Sequence, residues 1–197
     1  KEKKTMANSS SVGFGLKPIK MYGNGYENMG LGEYPVAASS DAIYNQDLVC
    51  QHTTGFVIVG IAGTEDIIGS LNGVFYTDAT TNKPTFQNYL QASNTATDIV
   101  ALVNDSPLQQ YEIRSDATGA SSQASVGEVA DITYVAGGSP NYVSKTTLAS
   151  AGLAAGATKQ LKVIGVSRDP ENNDLTSANV VWRVVINESF FLDATGI

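Results

Sequence analysis

The chain has 197 residues, enough for one domain to bury its own core without a disulfide or a metal. Apolar residues make up 42% and charged residues 16%, which excludes a highly charged disordered chain. Twelve Lys and Arg against 19 Asp and Glu leave a net charge of −7, the wrong balance for broad binding to nucleic acid or an anionic membrane. With Cys50 as the one cysteine and His52 as the one histidine, an internal disulfide, a cysteine-based zinc site and a His-rich metal centre are all excluded. The longest apolar runs, such as 56–62, are far too short for a transmembrane helix.

The first residues, Lys1 to Thr5, precede Met6-Ala7-Asn8, which reads as a natural start behind an upstream extension or an expression remnant. They carry basic residues, but no apolar stretch of a secretory signal follows. Residues 1–35 read as an extended N-terminal arm. Large apolar side chains alternate irregularly with glycines there, and neither the helical nor the two-residue period holds. Such a segment gains order by packing on something else, with Phe14, Leu16, Pro18, Ile19, Met21, Tyr22 and Tyr26 as its apolar anchors. The same side chains suit packing beneath the chain's own sheet equally well.

Residues 36–197 read as a β-rich domain. The segment 42–50 breaks at Asn45 to Asp47 into two short strands or a hairpin. The β-branched run 56–62 predicts a strand buried on both faces, and 73–77 follows after glycine turn signals. Segments 98–103 and 110–114 flank the turn Asn104-Asp105-Ser106-Pro107. The pattern weakens between 115 and 157, where one short helix is expected from near Ser125 through Val129. Strand 161–166 leads into the Asp/Asn-rich turn 169–174. The clearest strand is 179–187, with Val180, Trp182, Val184 and Ile186 on its core face. Nine or ten strands at this spacing predict an all-β fold, a single β-barrel or sandwich-type domain.

Catalytic and ligand-binding patterns are weak. There is no G-x-S-x-G elbow for a serine hydrolase. Cys50 and His52 share one face of an extended strand, but Thr53-Thr54-Gly55 reads as a hairpin turn, and a buried thiol beside a turn histidine is the favoured reading. Gly13-x-Gly15 and Gly23-x-Gly25 open no helix and lack the phosphate-loop lysine. Asp169, Asn172, Asn173 and Asp174 lack EF-hand spacing and read as an Asx-rich turn. Nothing in the spacing of Glu112, Asp116, Glu128 and Asp131 asks for paired-carboxylate chemistry. The expectation is a protein that is not an enzyme and has no catalytic, cofactor-binding or metal-binding residues.

Five blocks, taken in order, carry a resemblance: 14–19 (FGLKPI), 42–49 (AIYNQDLV), 73–78 (GVFYTD), 161–170 (LKVIGVSRDP) and 184–188 (VVINE). Together they resemble head decoration (capsid cement) proteins of tailed double-stranded DNA bacteriophages. That family enters its second strand through a Gly-Asp-Leu-Val step. Here Gln46 stands in the glycine's place, ahead of Asp47, Leu48 and Val49. The resemblance implies a structural virion protein on the outer surface of the expanded capsid, cementing neighbouring major-capsid subunits. Its partners would be the major capsid protein and itself, as a homotrimer, with neither nucleic acid nor membrane bound. Phe190, Phe191 and Leu192 join the arm residues as candidates for the capsid or subunit interface, or alternatively plug the core. The alternatives are a tail- or fibre-associated β module recognising a host ligand, and a secreted surface adhesin.

Overall fold

A computed structural model describes residues 8, 12–22, 30–116, 121–156, 158–172 and 174–192. Among these residues there are antiparallel strands, two single turns of 3-10 helix and no α-helix. A five-stranded sheet runs in the order β1 (Lys17–Met21), β8 (Gln109–Arg114), β13 (Val181–Ile186), β12 (Leu161–Val166) and β9 (Val129–Ala130). A six-stranded sheet runs β2 (Gly32–Pro35), β7 (Val100–Asn104), β5 (Ile67–Thr77), β3 (Leu48–Gln51), β4 (Val57–Val59), with β6 (Pro84–Gln87) paired to the far half of β5. A small ladder joins β10 (Ile132–Thr133) to β11 (Thr147–Leu148). The fold is an all-β sandwich, and the sheets do not close into a barrel.

The sandwich forms because the strands alternate. In β13, Trp182, Val184 and Ile186 point inward beside Tyr111 and Ile113 of β8 and Leu161 and Val163 of β12. They meet Leu48 and Cys50 of β3 and Ile67 of β5. The Tyr111 hydroxyl donates to the Asn104 carbonyl at 2.8 Å, tying one sheet to the other. The near half of β5 is buried on both faces because the six-stranded sheet is itself covered on its second side. There Ile68, Leu71, Val74, Tyr76, Ala101 and Val103 pack under the loops that carry Val36, Ile43, Leu90 and Ile99.

Residues 12–22 and 30–35, read from sequence as part of an extended arm, are built into the sandwich. β1 is the edge strand beside β8, and β2 is the edge strand beside β7. Leu16 is fully buried in the core between the sheets. Glycine is needed just before it: a Cβ on Gly13 would lie 2.1 Å from the Lys145 carbonyl oxygen, and one on Gly15 2.2 Å from that of Gln46. The glycines that suggested a loose arm instead allow close backbone packing.

The weakly patterned region contains short strands rather than a helix. Ser122 caps one 3-10 turn, Gln123–Ser125: its hydroxyl oxygen accepts the Ala124 N–H, and its own backbone N–H donates to the Ser125 hydroxyl oxygen. Gly127, with φ of 102°, turns the chain out of it, and Val129 enters β9 instead of a helix. The chain leaving β12 is held by Asn172. Its amide nitrogen donates to the carbonyls of Ser167 and Val181, and its oxygen accepts the Val181 N–H. One buried side chain thus supplements the direct bond from the Ser167 N–H to the Val181 carbonyl, serving the Ser167 carbonyl and the Val181 N–H as well.

Candidate interaction surfaces

The proposed interface residues are distributed over three environments. Leu16 is core. Pro18, Ile19 and Met21 are half-buried along the edge strand β1. Tyr22, exposed, donates its backbone N–H to the carbonyl of Leu108, and both side chains remain open to solvent at that edge. Phe14 is half-buried beneath the guanidinium of Arg114. Tyr26 lies outside the described residues. At the other end of the chain, Phe190 packs on the second core cluster and meets Phe191 edge to face at 5.3 Å. Phe191 and Leu192 are exposed beyond it.

A second apolar surface escaped sequence reading. Ladder pairing places Pro35, Val100, Phe75 and Phe86 in one row across β2, β7, β5 and β6, with Leu102 beside it on β7. Phe75 is 45% exposed and Phe86 58%. The Phe86 ring lies so close over Gly73 that a Cβ there would come within 2.8 Å of it. This face continues the one that carries Leu48 and Ile67 into the sandwich core. The five-stranded sheet covers only part of it, and among the described residues the rest projects as an open ledge.

The ledge depends on a bulge. Pairing between β5 and β7 shifts between Leu71 and Gly73, so Leu71 and Val74 both face the second core cluster. Without that shift, simple alternation from Leu71 would send Gly73 and Phe75 inward. Sequence periodicity alone gives no sign of it.

Near the β3 entrance three tyrosines stack. The rings of Tyr44 and Tyr89 are 6.1 Å apart and parallel within 5°; those of Tyr89 and Tyr142 are 4.0 Å apart and parallel within 4°. Tyr142 holds a φ of 53°, unusual for a bulky residue. Desolvation, with Tyr142 beside it, raises the Tyr89 phenol above its ordinary value.

The groups with chemical potential are separated or already engaged. Cys50 is buried in the core, and burial raises its thiol far above the ordinary range. His52 is exposed in the β3–β4 hairpin, with Nδ1 2.8 Å from the Thr54 hydroxyl. Glu112 accepts the Ser167 hydroxyl, Asp116 pairs with Ser150, and Asp131 takes an ion pair from Lys159 at 3.0 Å. Asp169 and Asp174 each accept a backbone N–H two residues ahead, as Asx turns do. Among the described residues no three His, Cys, Asp or Glu side chains converge as a metal site would require.

No model of a known protein family matches the chain, and neither do the curated proteins or the solved structures compared with it.

Proposed function

We propose that this chain is a structural virion protein that attaches to the outer surface of the expanded head of a tailed double-stranded DNA bacteriophage. As a homotrimer it cements neighbouring major-capsid subunits. The observation that carries the reading is the open apolar ledge of Pro35, Val100, Phe75 and Phe86 on a rigid two-sheet frame. An uncovered apolar row of this kind suits a protein whose task is adhesion, because burying it on a partner removes apolar area from water without reorganising the core. A second support is local. Gln46, standing where the family has glycine, holds a φ of 66°, a conformation glycine adopts freely. Repetition of the ledge in a closed trimer would turn modest contacts into firm attachment by avidity.

The test is co-sedimentation with expanded, decoration-free phage heads, beside light scattering of the free protein. Saturable binding at a fixed ratio to the major capsid protein, with heads made more resistant to heat, is the expected result. Absence of binding to heads overturns it. The second reading, a tail- or fibre-associated module that binds a host ligand, is favoured by the Tyr44, Tyr89 and Tyr142 stack. Binding to host cells or glycans, lost on Tyr142→Ala, would select that reading.

A further inference from the structure

Arg183 stands in the middle of β13, directly opposite Glu112 on β8 and Gly165 on β12. Its cross-strand neighbour Glu112 is the natural counter-charge, yet that carboxylate is committed elsewhere. One of its oxygens accepts the Ser167 hydroxyl at 2.6 Å, and the other lies 3.8 Å from Lys17 Nζ. The guanidinium leans instead over Gly165, where a Cβ would come within 2.6 Å of Nη2. In this position Nε is sealed from solvent and has no acceptor, whereas Nη1 and Nη2 stay open and unpaired. The outward N–H bonds of those two nitrogens run parallel, the arrangement that holds both oxygens of one carboxylate end-on.

Arg183 and the exposed Arg168 line an open pocket of about 470 Å³ beside the β12–β13 hairpin. Val126, Ile164, Val166 and Leu175 supply its apolar walls, and among the described residues no carboxylate lines it. Neither arginine forms an ion pair among those residues, although the chain has 19 Asp and Glu against 12 Lys and Arg. The acids Glu112, Asp169 and Glu171 line a separate cavity with Arg114, and Ser167 and Asn172 form the wall that the two share. A pocket whose charged groups are all cations is complementary to an anion. Apolar walls beside the arginines favour a carboxylate carried next to an apolar side chain over a strongly hydrated phosphate. An open pocket touches a protruding segment on one side and does not enclose a free small molecule. We propose that this pocket receives an acidic side chain, with an apolar one beside it, from an exposed segment of a partner protein. The site belongs to the other sheet from the apolar ledge and does not depend on the identity of the surface to which the protein attaches.

The test uses the full chain and titrates a capped Leu-Glu dipeptide, a capped Leu-Gln dipeptide and inorganic phosphate. The readout is the Arg183 Nε–H resonance, which burial of that atom protects from exchange with water. Leu-Glu is expected to shift it saturably, with Leu-Gln about tenfold weaker or worse. Arg168→Gln, at an exposed position, is expected to weaken Leu-Glu binding about threefold or more while keeping the wild-type melting temperature. Gly165→Ala keeps both charges but displaces the Arg183 guanidinium, and is expected to weaken binding about tenfold. The added methyl meets only the flexible end of a side chain, so the strand is retained. If Gly165→Ala nevertheless fails to fold, Arg168→Gln and the wild-type titrations still decide the matter. No shift with Leu-Glu, an equal response to Leu-Gln, phosphate binding as tight as Leu-Glu, or unchanged affinity in either folded variant would each overturn the proposal.

Discussion

Phe75 stands directly opposite Phe86 across the β5–β6 ladder, and both rings are open to solvent. Neither belongs to a core cluster, so replacing both by serine removes an adhesive surface with little effect on the frame. Phe75→Ser/Phe86→Ser is expected to keep the wild-type far-UV spectrum and to melt within a few degrees of it. Its affinity for expanded heads should fall about tenfold or more, since truncating central aromatic anchors commonly costs over 1 kcal/mol each. Co-sedimentation with undiminished affinity would remove the ledge from the attachment surface.

Leu16 separates the two readings of the N-terminal segment. It is fully buried against the core between the sheets, and its N–H donates to the Gln46 carbonyl at 2.8 Å. Leu16→Ala is expected to destabilise the protein by about 2–5 kcal/mol, read as a lower denaturation midpoint in urea. A variant as stable as the wild type would show that this segment contributes nothing to the core.

Asp47 gives the protein a pH dependence opposite to the usual carboxylate case. Burial pushes its carboxyl up to about 7, outweighing the Ser144 side chain and the Tyr44 N–H that it accepts at 2.8 Å. The folded chain therefore keeps this proton well above the pH at which the unfolded chain releases it. The resulting stability is complete below pH ~4 and is lost as pH rises toward 7, by up to about 4 kcal/mol. Asp78, Asp98 and Asp174 are shifted the other way by hydrogen bonds, so their contribution is lost in acid, below that window. Urea midpoints measured from pH 4 to 8 should fall with rising pH in the wild type, and Asp47→Asn should flatten the slope.

Gln46 sits between Asn45 and Asp47 in a tight turn closed by the Asp47 N–H on the Tyr44 carbonyl at 2.9 Å. Its φ of 66° strains a side-chain-bearing residue. Gln46→Gly relieves that strain and is expected to stabilise the fold by about 0.5–1 kcal/mol, less any entropy gained by the unfolded chain. A lower midpoint than wild type would mean that the Gln46 side chain supports the turn more than the strain opposes it.

The last strand was legible because its alternation is uninterrupted: Val180, Trp182, Val184 and Ile186 are all buried, as their spacing predicts. The all-β class followed from many such short segments. The first strand was not legible, because Lys17–Met21 is an edge strand with a pairing shift between Pro18 and Lys20, and its burial pattern follows no clean period. The helix expected through Val129 gave way to pairing with Lys162 on β12, a partner distant in sequence. In the sequence Arg114 is simply the last residue of the expected strand 110–114. The alternation of Tyr111 and Ile113 inward does place it on the outer face, but no local pattern reveals the wall that Asn172 holds over it.

The two sheets also become complete at different moments of synthesis. Every strand of the six-stranded sheet lies between residues 32 and 104, so it can pair fully while the rest of the chain is still being made. The five-stranded sheet has β13 at its centre, and without residues 181–186 its β8 and β12 have nothing between them. Until then Leu48, Cys50 and Ile67 lack their cover, and a half-made chain exposes apolar surface that the finished protein hides. Truncation before the last strand is therefore expected to leave an intermediate prone to aggregate rather than a smaller folded unit, which the solubility of a chain ending before residue 181 would show.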